Sequence, residues 1–334
     1  MMTTDSLPPP APPGDTEIPP GSGGPRSLEA VFAGLSSALL FGLFLVLPVA
    51  GSVALAFAAV PLVRHAHRRG VSGAVAGCAL AAGVLAGLGL AMGGLSSAVS
   101  SAAVAFASTA LPVLAAGAVR RGLRASHAWL LLAAVGFAIL AGVLGPIESR
   151  GGTPLREEIG RAFDSISPPA GAKGAPAGDL EATASAAAML ARFKGFAQTY
   201  WLGLVGASWA LASAVSFYLG ARAARPAPSA EATKFEEVRV PALVVALFAA
   251  AGAAFAVLKG PGRVVAGNVL LPLLALYFLA GLSIICHFAR KWFRARILRI
   301  GLYALVAYFP LNVAVGLLGI FDWYADFRRR GGKT

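Results

Sequence analysis

Fifty consecutive residues, Gly70 to Val119, contain no Asp, Glu, Lys or Arg. A water-soluble helix or strand needs a polar face, so a stretch of this length calls for an apolar solvent. About 20 apolar helical residues already cross a bilayer core. The stretch is too long for one crossing and divides at Gly93-Gly94, which predicts two spans joined by a tight turn. The whole chain agrees: 57% of its residues are hydrophobic and 13% charged, against about a quarter charged in soluble domains. Its 40 glycines suit membrane helices whose backbones approach closely. The predicted fold class is all-α: a polytopic transmembrane helical bundle of eight or nine spans, with one external loop containing short amphipathic helices.

Residues 1–26 are rich in Pro, Gly and Ser and contain no apolar run, so they read as a disordered tail. The first apolar run starts near Leu28 behind an acidic, proline-rich leader, unlike a cleaved secretory signal, and is expected to stay as an anchor. Between Glu29 and Arg64 lie 34 residues without a charge, broken by Pro48 and Gly51. They form either two short helices or one helix with a re-entrant piece. A fifth span is expected over 127–147, with Trp129 as an interfacial anchor. The amino-terminal transmembrane half thus covers 27–147.

Residues 148–196 carry six basic and six acidic side chains. Thr153-Pro154 reads as a helix start, followed by Leu155, Ile159, Phe163 and Ile166 on one face, an amphipathic surface helix. After a linker, Asp179 is the expected N-cap of a second helix with Leu180, Ala187, Leu190 and Phe193. The carboxyl-terminal half, 197–321, holds spans at 197–221, 240–258, 264–289 and 300–320, the last interrupted by Pro310 and Asn312. Tyr200 and Trp201 read as interfacial, and residues 322–334 as an interfacial basic tail.

The formal charge of +13 is gathered in short clusters between apolar runs. No basic stripe with interleaved aromatics occurs, which argues against nucleic acid as a partner. Fifteen Lys and Arg fall in one set of short loops: around Arg64 to Arg69, Arg120 to Arg124, Arg222 to Arg239 and Arg290 to Arg299. Only Lys259 and Arg263 fall in the opposite set. That asymmetry places the first set, and the amino terminus, in the cytoplasm of a bacterial-type inner membrane. Nine crossings then leave Arg328, Arg329 and Arg330 outside, whereas a re-entrant hairpin around Pro310 and Asn312 would return them inside.

Candidate chemistry is sparse. No ionisable side chain falls deep within a predicted span, which disfavours a proton relay. No H-E-x-x-H, G-x-S-x-G, paired intramembrane aspartates or P-loop occurs, so neither enzyme chemistry nor a resident ATPase is expected. His65 with His67 offers only two nitrogen ligands, and Cys286 with His287 reads as packing beside an interfacial imidazole, so no metal or cofactor is expected. The intramembrane amides Asn268 and Asn312 must face the bundle or a cavity. Together with Tyr277 they are candidates for a polar pocket or for helix packing. Ala30, Gly34, Ala38 and Gly42 recur every four residues, a ridge of small side chains that can dock either another helix of this chain or a partner.

Several segments together resemble the YybS-like family of uncharacterised bacterial membrane proteins (DUF2232). They are Leu47-Pro48 with Pro61-Leu62, then Gly267-Asn268-Val269-Leu270, Tyr277-Phe278-Leu279-Ala280-Gly281, and Gly319-Ile320-Phe321-Asp322-Trp323 with Asp326-Phe327-Arg328. The amino-terminal helices are also distantly similar to the substrate-binding subunits of energy-coupling-factor transporters. That resemblance implies binding of a small nutrient and docking on a partner through small residues of the first helix. The expectation is therefore a small-molecule binding or transport subunit in the lipid bilayer, with a membrane or cytoplasmic protein partner. The alternative is a scaffold that recruits partners for envelope or cell-division processes.

Overall fold

The computed structural model describes residues 26–46, 54–149, 154–166, 177–293, 295–307, 311–325 and 327. The expected tail before Arg26, the Pro48–Gly51 break, most of the linker before Asp179, Pro310 and the basic run Arg328–Arg330 lie outside them. Every regular element among the described residues is helical, so the chain is an all-α bundle. The solvent dictates this, because a backbone in lipid must satisfy its own hydrogen bonds.

The first described helices are α1 (Arg26–Val46) and a ten-residue α2 (Val60–Arg69). The helical run Val71–Arg120 breaks at Gly93 and Gly94 into α3 (Val71–Leu95) and α4 (Ser97–Arg120). Gly94 there has φ +76°, the left-handed region that glycine enters at no steric cost. The expected turn falls at this step.

Helix α5 (Ala125–Ser149) leads to the polar hairpin of α6 (Pro154–Ile166) and α7 (Ala177–Thr199). In that hairpin Lys194 meets Asp164 at 2.6 Å, and Arg156 Nε donates to the Gln198 carbonyl at 3.0 Å. Helix α7 begins two residues before Asp179 and runs to Thr199. The break that starts α8 (Trp201–Ala224) therefore sits at Tyr200, not at Ala197. After a one-turn α9 (Pro228–Glu231) come α10 (Ala242–Val257), α11 (Pro261–Trp292), α12 (Arg296–Ala307) and α13 (Leu311–Ala325).

Among the described residues, five helices are long and apolar enough to cross a membrane: α3, α4, Ala125–Gly142 of α5, α8 and α11. Ser27–Leu43, α10 and α13 are shorter apolar helices. At 32 residues, α11 is about 48 Å long, and it organises the carboxyl-terminal half by packing on α8, α10 and α13. Val315 lies against Gly281 and Gly319 against Tyr277. Helix α13 therefore runs antiparallel to α11, away from the end that carries Arg290 and Lys291.

The principal core joins α1 through α5 with α8, around Leu62, Val63, Val113, Trp129 and Phe217. Trp129 corrects its expected place at the interface. It is 2% exposed and its indole donates to Ser213 Oγ at 3.2 Å, within the bundle. Trp201, 3% exposed, is likewise internal. Position beside a charged loop suggested an aromatic belt, but helix packing decides where a ring points.

Candidate functional site

The three candidate polar residues occupy separate places. Asn268 Oδ1 accepts from the Gly203 N–H at 2.7 Å, while its Nδ2 donates to the Val264 carbonyl at 2.9 Å. Gly203 sits in the first turn of α8, where N–H groups have no partner within the helix. Asn268 thus caps α8 from α11. Tyr277 lies nine residues further on, about 14 Å along the axis and half a turn round it. It faces Phe248 of α10, ring centroids 4.9 Å apart, and Gly319 of α13. Its hydroxyl, like Asn312 Oδ1 at the start of α13, is buried without a hydrogen-bond partner among the described residues. None of the clefts described below is lined by any of the three.

Asn268→Ala is expected to cost about 1 kcal/mol by uncapping α8, read as a lowered melting temperature in detergent. An unchanged melting temperature would mean that water serves the Gly203 N–H equally well.

The ridge on α1 is covered within the chain. Ala30, Gly34 and Ala38 are buried, and Gly42 sits near Leu85. A Cβ at Gly34 would stand 2.7 Å from the Gly77 carbonyl oxygen, and one at Gly77 3.0 Å from that of Ala30. Helix α3 therefore occupies this face. The opposite face of α1, with Phe32 and Leu39, is exposed.

The basic clusters converge on one face of the bundle, where two arrangements differ. At the first, the end of α2 is stitched to its neighbours. Arg69 pairs with Glu29 of α1 at 3.0 Å, Arg68 donates to the Ala224 and Arg225 carbonyls closing α8, and Arg120 donates to the Ala66 and His67 carbonyls closing α2. These cations donate to carbonyls at helix C-terminal ends, where positive charge is favoured, and two of those carbonyls also take a backbone N–H, Ala66 from Gly70 and Ala224 from Ala227. His67 is buried against Phe217, with Nδ1 3.0 Å from Ser229 Oγ. Burial, with Arg120 beside it, pushes the imidazole down to about 4. His65 points instead toward Gly73, beside a cleft of about 450 Å³ between α1 and α3. Burial lowers its pKa too, against Glu29, which raises it. Arg120→Leu is expected to lower stability by about 1 kcal/mol, because the two α2 carbonyls lose a charged donor. Thermal unfolding beside Arg121→Leu reads this, and equal effects would refute it.

The second arrangement is an open cleft of about 1160 Å³. Its walls are the turn from α4 to α5 with Arg124, the first turn of α5 with Ser126 and His127, the 232–241 segment, and the end of α11. The 232–241 segment is pinned. Phe235 packs edge-on against Tyr218 with centroids 5.3 Å apart, Val238 is 2% exposed, and its carbonyl lies 3.3 Å from the Ser283 hydroxyl, which also donates to the Ala280 carbonyl of α11 at 2.7 Å. Arg290 binds Glu236 at 2.6 Å and Lys234 reaches Glu237 at 3.5 Å. His287, expected at an interface beside Cys286, lines this cleft.

The sequence reading missed the cleft because its cations come from three stretches of chain, each of which alone looks like an ordinary cytoplasmic loop. The one local signal is Lys234-Phe235-Glu236-Glu237-Val238-Arg239, where acids sit inside a basic loop. Among the described residues no group of three or more His, Cys, Asp or Glu is placed to hold a metal ion.

In comparisons with known proteins, a family model described as predicted membrane protein (DUF2232) matches residues 36–323. No curated protein and no solved structure matches the chain.

Proposed function

The chain belongs to the predicted membrane protein family DUF2232, and from that premise we propose that it is a small-molecule binding or transport subunit without catalytic activity or an ATPase of its own, whose ligand enters the basic cleft. The cleft carries this reading. At about 1160 Å³ it exceeds the roughly 300–1,000 Å³ of most ligand pockets. It joins apolar residues such as Val119, Leu123 and Pro241 to a larger set of polar and charged groups, and convergent polar groups are what orient a bound ligand. The loop-charge asymmetry supports a cytoplasmic mouth in a bacterial inner membrane. The resemblance of the amino-terminal helices to nutrient-binding transporter subunits supports action with a protein partner, at a surface other than the α1 ridge.

A second reading, a scaffold for envelope or cell-division partners, draws on the close packing at Asn268. There the amide is spent on the α8 terminus and Gly206 abuts Phe137 and Pro272.

Native mass spectrometry of the full chain, purified gently from its own membrane, separates the two. A stoichiometric small molecule lost on combining Arg124→Gln with Lys291→Gln is the expected result. A copurifying protein with no small molecule would overturn it in favour of the scaffold. Asn268→Ala is expected to leave retention unchanged.

A further inference from the structure

We propose that the basic cleft is a phosphate site, taking a ligand that bears a phosphoryl or diphosphoryl group, with Arg124, Lys291 and the first turn of α5 around its oxygens. This rests on the reading that the cleft takes a ligand at all, and names the ligand's chemistry.

Charge is the first argument. Five cationic side chains line the cleft, Arg124, Lys234, Arg239, Arg290 and Lys291, against the two carboxylates Glu236 and Glu237. Five cations against two carboxylates leave the lining with a net positive charge. The preference for cations in cytoplasmic loops accounts for their number but not for their convergence on one concavity.

Donor geometry is the second argument. Ala125, Ser126 and His127 line the cleft and form the first turn of a 25-residue helix. The first N–H groups of a helix have no intrahelical acceptor, and the helix dipole there favours an anion. The Ser126 hydroxyl and the fork of Arg124 add donors from the same wall, and Lys291 lines the cleft from α11. Donors approaching from separate walls suit the several oxygens of a phosphoryl group better than the two of a carboxylate.

Two sources offer this chemistry, a soluble phosphate ester and a phospholipid headgroup reaching in from the membrane. The test uses the full chain in phosphatidylcholine nanodiscs, titrated calorimetrically with inorganic pyrophosphate. A parallel arm uses nanodiscs containing phosphatidic acid, with retained lipid read by native mass spectrometry.

Binding of pyrophosphate that weakens about tenfold in Arg124→Gln and is unchanged in Lys259→Gln, at the opposite end of α11, is the expected result. Retention of phosphatidic acid in competition with pyrophosphate would identify the lipid as a source, and its absence the soluble ester. Neither probe binding to a protein with an unaltered melting temperature would overturn the phosphate assignment. Were gently purified protein then to retain a different small molecule, lost with the cleft variants, the binding-subunit reading would stand without the phosphate. Were it to retain none, both would fall.

Discussion

Gly319→Val is expected to detach α13 from α11 and to cost about 3 kcal/mol or more, at or above the upper end of ordinary overpacking. A Cβ at Gly319 would fall on the Tyr277 carbonyl oxygen and 2.8 Å from the Gly281 nitrogen, while one at Gly281 would fall on the Val315 carbonyl. All three obstacles are backbone. A flexible side chain could swing aside, but here one helix must move away from the other, and the contact of Tyr277 with Gly319 goes with it. Gly316→Val is the control, since nothing lies within 4 Å of a Cβ there, and it is expected to change stability by no more than about 0.5 kcal/mol. Thermal unfolding in detergent, with protease access to α13 as a second readout, compares the two. Equal losses would show that valine in α13 is harmful for reasons other than the α11 contact.

Stability should also fall on acidification through His67. Its ordinary value of 6.5 is lowered to about 4 in the folded chain, first by burial and then by Arg120. The unfolded chain therefore binds the proton more tightly between these values. The folded state keeps its full stability above pH 6.5, loses it progressively as pH falls toward 4, and loses no more below. The span corresponds to about 3 kcal/mol. Ser229 Oγ and the Phe217 ring complete the surroundings, and neither supplies a negative charge to support an imidazolium. His67→Gln should flatten this part of the dependence, measured as melting temperature between pH 7 and pH 4.5. An undiminished slope in the variant would move its origin to other groups, of which His65, with its own lowered value, is the first to test.

Helices were readable in the sequence where solvent alone determines them. Fifty uncharged residues have to double back in a bilayer, and only Gly93-Gly94 offers a cheap turn, so α3 and α4 could be placed from composition and one dipeptide. Docking partners were not readable in the same way. The spacing of Ala30, Gly34 and Ala38 shows that α1 can meet another backbone, but Gly73 with Gly77 and Gly83 with Gly87 offer equal counterparts. In the fold Gly77 meets α1, while a Cβ at Gly83 or Gly87 would touch nothing within 4 Å. Side-chain chemistry fixed Asn268 as a group that must find partners. Which partners depended on the register of α8, more than sixty residues away in the chain. The cleft was least visible, because each wall obeys the loop-charge rule by itself and only the packing of α5, the 232–241 segment and α11 turns three separate clusters into one concavity.

The length of α11 has a mechanical consequence. A rod of about 48 Å overhangs a hydrocarbon slab of about 30 Å, so it must lean, protrude, or do both. Its waist at Gly281 is clamped by the backbone of α13, and its last turn, with Arg290 and Lys291, is one jaw of the basic cleft. One rigid helix thus both sets its depth in the bilayer and carries a wall of the cleft.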